Sequence, residues 1–131
     1  MASKTSDLSE GGNPSVVLVV EDEFLVALDL KGMLEGNGYR VLGPARNVDA
    51  ALRLLAHEQP DLAVLDVNLN GHPVVPVAKR LRSLGVPFVL ASAYSRFDFD
   101  ESEILGGAEN VGKPIAERDL LAALGRLTQT Q

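Results

Sequence analysis

The chain has 131 residues, a formal net charge of −6, 46% hydrophobic and 23% charged residues, the proportions of one ordinary globular domain with no room for a second core. The acidic balance argues against nonspecific binding to nucleic acid or to an anionic membrane, both of which need clustered Lys and Arg. The absence of cysteine removes disulfides, thiolate zinc sites, iron–sulfur clusters and cysteine nucleophiles, and two histidines, His57 and His72, are too few for a histidine-rich metal site.

Residues 1–14 are rich in Ser, Gly, Asp and Glu and end in Asn13-Pro14, the composition of a flexible tail with no signal-peptide core. Val16–Val20 follows as a continuous apolar run, the pattern of a parallel strand buried on both faces and far too short to span a membrane. A cytoplasmic protein is expected. Val26, Leu30, Met33 and Leu34 mark a first helix, closed by Gly36-Asn37-Gly38. Tyr39–Leu42 is mixed and suits a strand near a sheet edge. Val48, Ala51, Leu52 and Leu55 have helical spacing behind Asn47 as N-cap. Leu62–Leu65 and Val86–Leu90 are again apolar strands. Between them Val77, Leu81 and Leu84 mark a helix ended by Gly85, with Pro73 and Pro76 expected in its first turn. Asp98–Leu105 reads as a short helix, Ala108–Val111 as a weak last strand, and Leu120, Leu121, Leu124 and Leu127 as the last helix. Strands and helices alternate throughout, which predicts a doubly wound α/β domain with a parallel sheet and helices on both faces.

In such sheets ligands bind outside the carboxyl ends of the strands. There the sequence puts Glu21, Asp22 and Glu23 after the first strand, Asp66 and Asn68 after the third, Ser92 after the fourth and Lys113-Pro114 after the fifth. Each alone has an ordinary explanation. The acids suit a helix N-terminus, Asp66 the first solvated turn, Ser92 a loop and Lys113 the surface. Together they fill successive positions that face one site. Clustered carboxylates repel unless a cation compensates, and oxygen ligands at a half-open site suit Mg²⁺. A carboxylate beside Mg²⁺ and a lysine can attack phosphorus, so the residues point to phosphoryl chemistry at Asp66.

Four segments, VVLVVEDE, DLAVLDVNLNG, PFVLASAY and VGKPI, jointly resemble a response-regulator receiver domain of two-component signalling, from about Ser15 to about Thr128. The resemblance implies a flavodoxin-like (βα)₅ fold of strand order 2-1-3-4-5, with residues 15–128 as the receiver domain. It implies that Asp66 accepts a phosphoryl group from a phosphohistidine on a sensor histidine kinase or histidine phosphotransfer protein. Asp22 and Asp66 then ligate Mg²⁺ by side chain and Asn68 by its backbone carbonyl, with Glu21 acting partly through water. Lys113 contacts the phosphoryl oxygens, Ser92 is the switch hydroxyl, and the bond before Pro114 is cis. A signalling module is implied, rather than an enzyme, capable of Mg²⁺-dependent self-phosphorylation and self-dephosphorylation. It acts on an unnamed downstream protein as a monomer or as a phosphorylation-promoted homodimer.

The sequence also departs from the family. Asn110 stands where an aromatic is usual three residues before the lysine, which leaves Tyr94 as the candidate switch aromatic. Asn70 stands where a proline is common, and Phe97 and Phe99 lie in the loop beyond Tyr94. An aspartyl-phosphate hydrolase is the enzyme alternative, although Asn68 occupies the place of its second acid and no cap domain is evident. A non-phosphorylatable pseudo-receiver scaffold is the other. A phosphate-binding loop is rejected: Gly107 to Lys113 fits its spacing, but Pro114 replaces the required hydroxyl residue. No output domain is evident in the chain.

Overall fold

The computed structural model describes residues 15–69, 71–92, 105 and 107–129. The tail, Tyr94, Phe97, Phe99, Asn70 and all of the Asp98–Leu105 helix but Leu105 lie outside the described residues. In chain order the elements are β1 (Val16–Val20), α1 (Phe24–Glu35), β2 (Arg40–Ala45), α2 (Val48–His57) and β3 (Leu62–Leu65). A ribbon of β4 (Asn68–Leu69) and β5 (His72–Pro73) follows, then α3 (Val75–Leu84), β6 (Phe88–Leu90) and α4 (Glu117–Gln129).

The main sheet runs β2-β1-β3-β6, parallel throughout. This is the order 2-1-3-4 expected for the first four βα units, and the mixed strand does lie at the edge. Of the expected fifth strand the described residues show one parallel bridge, Leu90 with Asn110. Leu90 N–H donates to Glu109 O at 2.8 Å, and Val111 N–H donates to Leu90 O at 2.8 Å. Gly112, at φ +78°, turns the chain out of the ladder directly afterwards.

Both faces of the sheet are covered, which explains why its strands are continuously apolar. Successive strand side chains point to opposite faces. Val17, Val19, Leu62, Val64 and Val89 therefore pack with Leu30 and Leu34 of α1 and with Leu120, Ala123 and Leu124 of α4. Leu18, Val20, Ala63, Leu65, Phe88 and Leu90 meet Ala51 and Leu55 of α2 and Val77, Ala78 and Leu81 of α3. Each fully buried Leu or Val contributes about 1.5–3 kcal/mol.

Local chemistry sets the ends of the elements. Asn47 Oδ1 accepts the Ala50 N–H at 2.8 Å and caps α2. Gly85, at φ +75°, closes α3 in the left-handed conformation. Pro76 lies in the first turn of α3 as expected, but Pro73 does not: it pairs with Asn68 across the ribbon. The reason is that α3 starts only after Val74, whose N–H is taken by Val67 O at 3.0 Å. The strand expected to end at Leu42 continues to Ala45 through an irregularity: Leu18 pairs with Leu42, but Val20 pairs with Ala45, so β2 carries one extra residue. Gly43 sits there at φ +99°, and a Cβ on it would lie 2.7 Å from Ala45 N and 3.1 Å from Val19 O. Only glycine fits that crossing.

Candidate functional site

Among the described residues the buried polar side chains are Glu21, Asp66 and Ser92. All three stand just beyond the carboxyl ends of strands, on one edge of the sheet. The backbone ladder holds them there by running one step past each strand. Glu21 N–H donates to Ala45 O, Asp66 N–H to Val20 O and Ala91 N–H to Leu65 O, each at 2.9 Å.

Glu21 is 1% and Asp66 6% exposed, and Asp22 is half-buried. One carboxylate oxygen from each of Glu21, Asp22 and Asp66 lies within 4.8 Å of the others. Lys113 brings the compensating charge. Its Nζ is 2.9 Å from Glu21 Oε1, 3.2 Å from Glu23 Oε1 and 3.5 Å from Asp66 Oδ2. Burial pulls the Lys113 ammonium down, but close contact with Glu21, the charge on Asp66 and the Glu23 carboxylate outweigh it, and its pKa ends above the ordinary 10.5. The second oxygen of Glu21, Oε2, accepts the Glu23 N–H at 3.1 Å. Oε1 is buried and receives no well-directed hydrogen bond, so the Lys113 contact serves it as an ion pair. Asp22 is the most solvent-accessible of the three clustered acids.

The Lys113–Pro114 bond is cis, as is Gly43–Pro44. Asn68 lies two residues past Asp66, in the ribbon. The residue opposite it, Pro73, has no N–H to offer the Asn68 carbonyl. Tyr94 is outside the described residues. Two residues to which the sequence reading gave no role of their own, Glu23 and Asn110, also belong to the site. Glu23 was visible as a third acid in Glu21-Asp22-Glu23, yet its reach to Lys113 depends on the direction of its side chain. Asn110 binds the main chain of Ser92: its Oδ1 accepts the Ser92 N–H at 3.1 Å and its Nδ2 donates to Ser92 O at 3.3 Å. Beside the pocket α1 begins with exposed apolar side chains, Phe24 at 73%, Leu25 at 71% and Leu28 at 52%. No helix among the described residues is long and apolar enough to cross a membrane.

An open parallel α/β sheet with carboxylates, a serine and a lysine gathered at the carboxyl ends of its strands defines a class of domain that binds charged groups at that edge. Residues 17–125 match the response regulator receiver domain model, and the chain belongs to this family. It is 31% identical over 126 residues to the transcriptional regulatory protein PdtaR of Mycobacterium tuberculosis, covering 95% of this chain and 61% of that protein. The chain thus spans about 61% of the length of that relative. It is 27% identical to sporulation initiation phosphotransferase F of Bacillus subtilis, over 75% of this chain and 81% of the relative. The receiver domain of a modulated diguanylate cyclase from Desulfovibrio desulfuricans G20 superposes with a TM-score of 0.76 at 28% identity, covering 86% of this chain and 92% of that one. The PhyR receiver domain of Erythrobacter litoralis gives a TM-score of 0.79 at 24% identity over 91% and 93% of the two chains, a likeness of fold. Receiver domains are signalling modules of two-component response regulators rather than classical enzymes.

Proposed function

We propose that residues 15–128 form a phosphoacceptor switch working in the cytoplasm. Asp66 takes a phosphoryl group from a phosphohistidine of a sensor histidine kinase or histidine phosphotransfer protein, in a Mg²⁺-dependent step, and the product changes which protein the domain binds. The observation that carries this reading is Asp66 itself: a buried carboxylate beside Lys113 Nζ at 3.5 Å and within ligand distance of Glu21 and Asp22. A relative named as a phosphotransferase is consistent with it.

In this reading an Asp66 carboxylate oxygen attacks phosphorus in line with the donor nitrogen. The new O–P bond forms as the P–N bond breaks, and the imidazole leaves with a proton taken from solvent. Lys113 exchanges carboxylate partners for phosphoryl oxygens, and the Ser92 hydroxyl donates to another of them. The donor set suits a small hard cation: oxygens alone, three clustered carboxylates, and the buried Glu21 Oε1 lacking a well-directed hydrogen bond. Asp22, Asp66 and the Asn68 carbonyl would hold Mg²⁺, with Glu21 acting through water, and the ion would offset charge on the transferring group. Charge-assisted hydrogen bonds contribute about 1.5–3 kcal/mol each, so two or three new ones match the roughly 5.5 kcal/mol that inverts a two-state equilibrium. The exposed Phe24, Leu25 and Leu28 of α1, the helix that directly follows the acids, suit a protein donor better than a small solute.

Acetyl phosphate with Mg²⁺ tests the proposal. The expected product is one hydroxylamine-labile phosphoryl group per chain, absent in Asp66→Ala and absent with EDTA. Turnover of many phosphate esters would mark a hydrolase, and no incorporation at all a scaffold.

A further inference from the structure

We infer that Asn110 is a positioning residue for Ser92, a role its carboxamide fills by acting as one more rung of the sheet; the inference rests on the phosphoacceptor reading above. Among the described residues the outer side of β6 carries a single main-chain rung, from Leu90 to Glu109 and Val111. A continuing parallel ladder would engage Ser92 next, but Gly112 at φ +78° takes the main chain away. The side chain of Asn110 fills that step. Its Oδ1 accepts the Ser92 N–H at 3.1 Å, its Nδ2 donates to Ser92 O at 3.3 Å, and the same Oδ1 accepts the Gly112 N–H at 2.9 Å.

Three consequences follow from the chemistry of the group. A carboxamide offers an acceptor and a donor side by side, like a peptide; an alkyl side chain offers neither and a carboxylate only acceptors. One group therefore ties the Ser92 main chain to Gly112, the residue directly before Lys113, and so sets the spacing of the hydroxyl residue and the lysine. The grip is on the N–H and C=O of Ser92. Because Ser92 is buried, its N–H and C=O would be costly to leave unmatched.

Two measurements test this. The first is amide hydrogen exchange by NMR on the unphosphorylated protein. Asn110→Ala should lose about tenfold protection at Ser92 and Gly112, whereas Asn110→Asp, which keeps the acceptor, should retain most of it at both. The second is the initial rate of phosphorylation by acetyl phosphate with Mg²⁺. Asn110→Ala should slow it about five- to tenfold, Asn110→Asp less, and in a Ser92→Ala background Asn110→Ala should change it less than about twofold. Unchanged exchange at both amides overturns the clamp. An equal slowing with and without the Ser92 hydroxyl overturns the positioning role while leaving the phosphoacceptor reading intact. If the wild-type chain takes no phosphoryl group, the reading itself fails and the positioning role with it, and the exchange result still decides whether the clamp exists. Should Asn110→Ala not fold, Asn110→Leu, which keeps the volume and offers neither acceptor nor donor, carries the same expectation and the same overturning result.

Discussion

Two aspartates flank the four residues of β3, Asp61 before it and Asp66 after it. Asp61 is exposed and serves the backbone: its Oδ2 accepts the Val16 N–H at 2.8 Å while its own N–H donates to Val16 O at 2.8 Å. Asp66 is buried among like charges, with Lys113 as the cation at hand. The same side chain stabilises the sheet at one end and strains it at the other. The difference lies in strand direction, since the carboxyl ends of parallel strands converge with the polar residues that follow them, whereas the amino ends here are met by turns that only need satisfied backbone groups. A fold optimised for stability alone would not gather three carboxylates within 4.8 Å.

The largest effect on this contrast should come from between the two aspartates. Leu65→Ala, in the fully buried strand, should cost about 2–5 kcal/mol by denaturant unfolding and loosen both ends together. Next comes Lys113→Met, which leaves Glu21 and Asp66 without their cation. The expected loss is about 1–2 kcal/mol, less than for a fully buried pair because Lys113 is partly solvated, and smaller again in Mg²⁺. Since the Lys113 pKa is raised by folding, its contribution is present below the unfolded value of 10.5 and fades as pH rises past the folded one. The stability gap between wild type and Lys113→Met should therefore be flat at neutral pH and shrink in strong alkali; a gap that widens there would contradict this.

Asp66→Asn should have the opposite sign, stabilising the metal-free protein by about 1 kcal/mol through relief of repulsion. It should also lose the upward shift in unfolding temperature that Mg²⁺ gives the wild type. Smallest is Asp61→Ala, expected to cost about 0.5–1 kcal/mol for one exposed hydrogen bond and to leave phosphoryl incorporation at Asp66 unchanged. Equal behaviour of the two aspartate variants in Mg²⁺ would erase the distinction between the ends of β3.

Much of the fold was legible because burial on both faces writes itself as unbroken apolar runs, as in Val16–Val20 and Leu62–Leu65. The assembly of Glu21, Asp22, Asp66 and Lys113 was legible for a related reason: in a parallel sheet, the residue after each strand has a fixed address. Ser92 reached the same edge by that rule. What escaped the sequence depends on where a chain turns or a side chain points. Pro73 has the chemistry of a helix start, yet it sits in a ribbon because Val67 holds Val74 first. Ala108–Val111 is apolar at its ends but is left with a single bridge once Gly112 turns away. Glu23 and Asn110 reach Lys113 and Ser92 through side-chain directions that no spacing encodes.

The extra residue in β2 carries a consequence for the acid pocket. Glu21 takes its main-chain anchor from Ala45, which lies just past the Gly43 crossing on the outermost strand. Deleting that one residue would invert the pleat of the strand end and withdraw the Ala45 carbonyl from its guest. The alignment of the first acid is thus metered from the periphery, by a strand that lends the pocket no side chain.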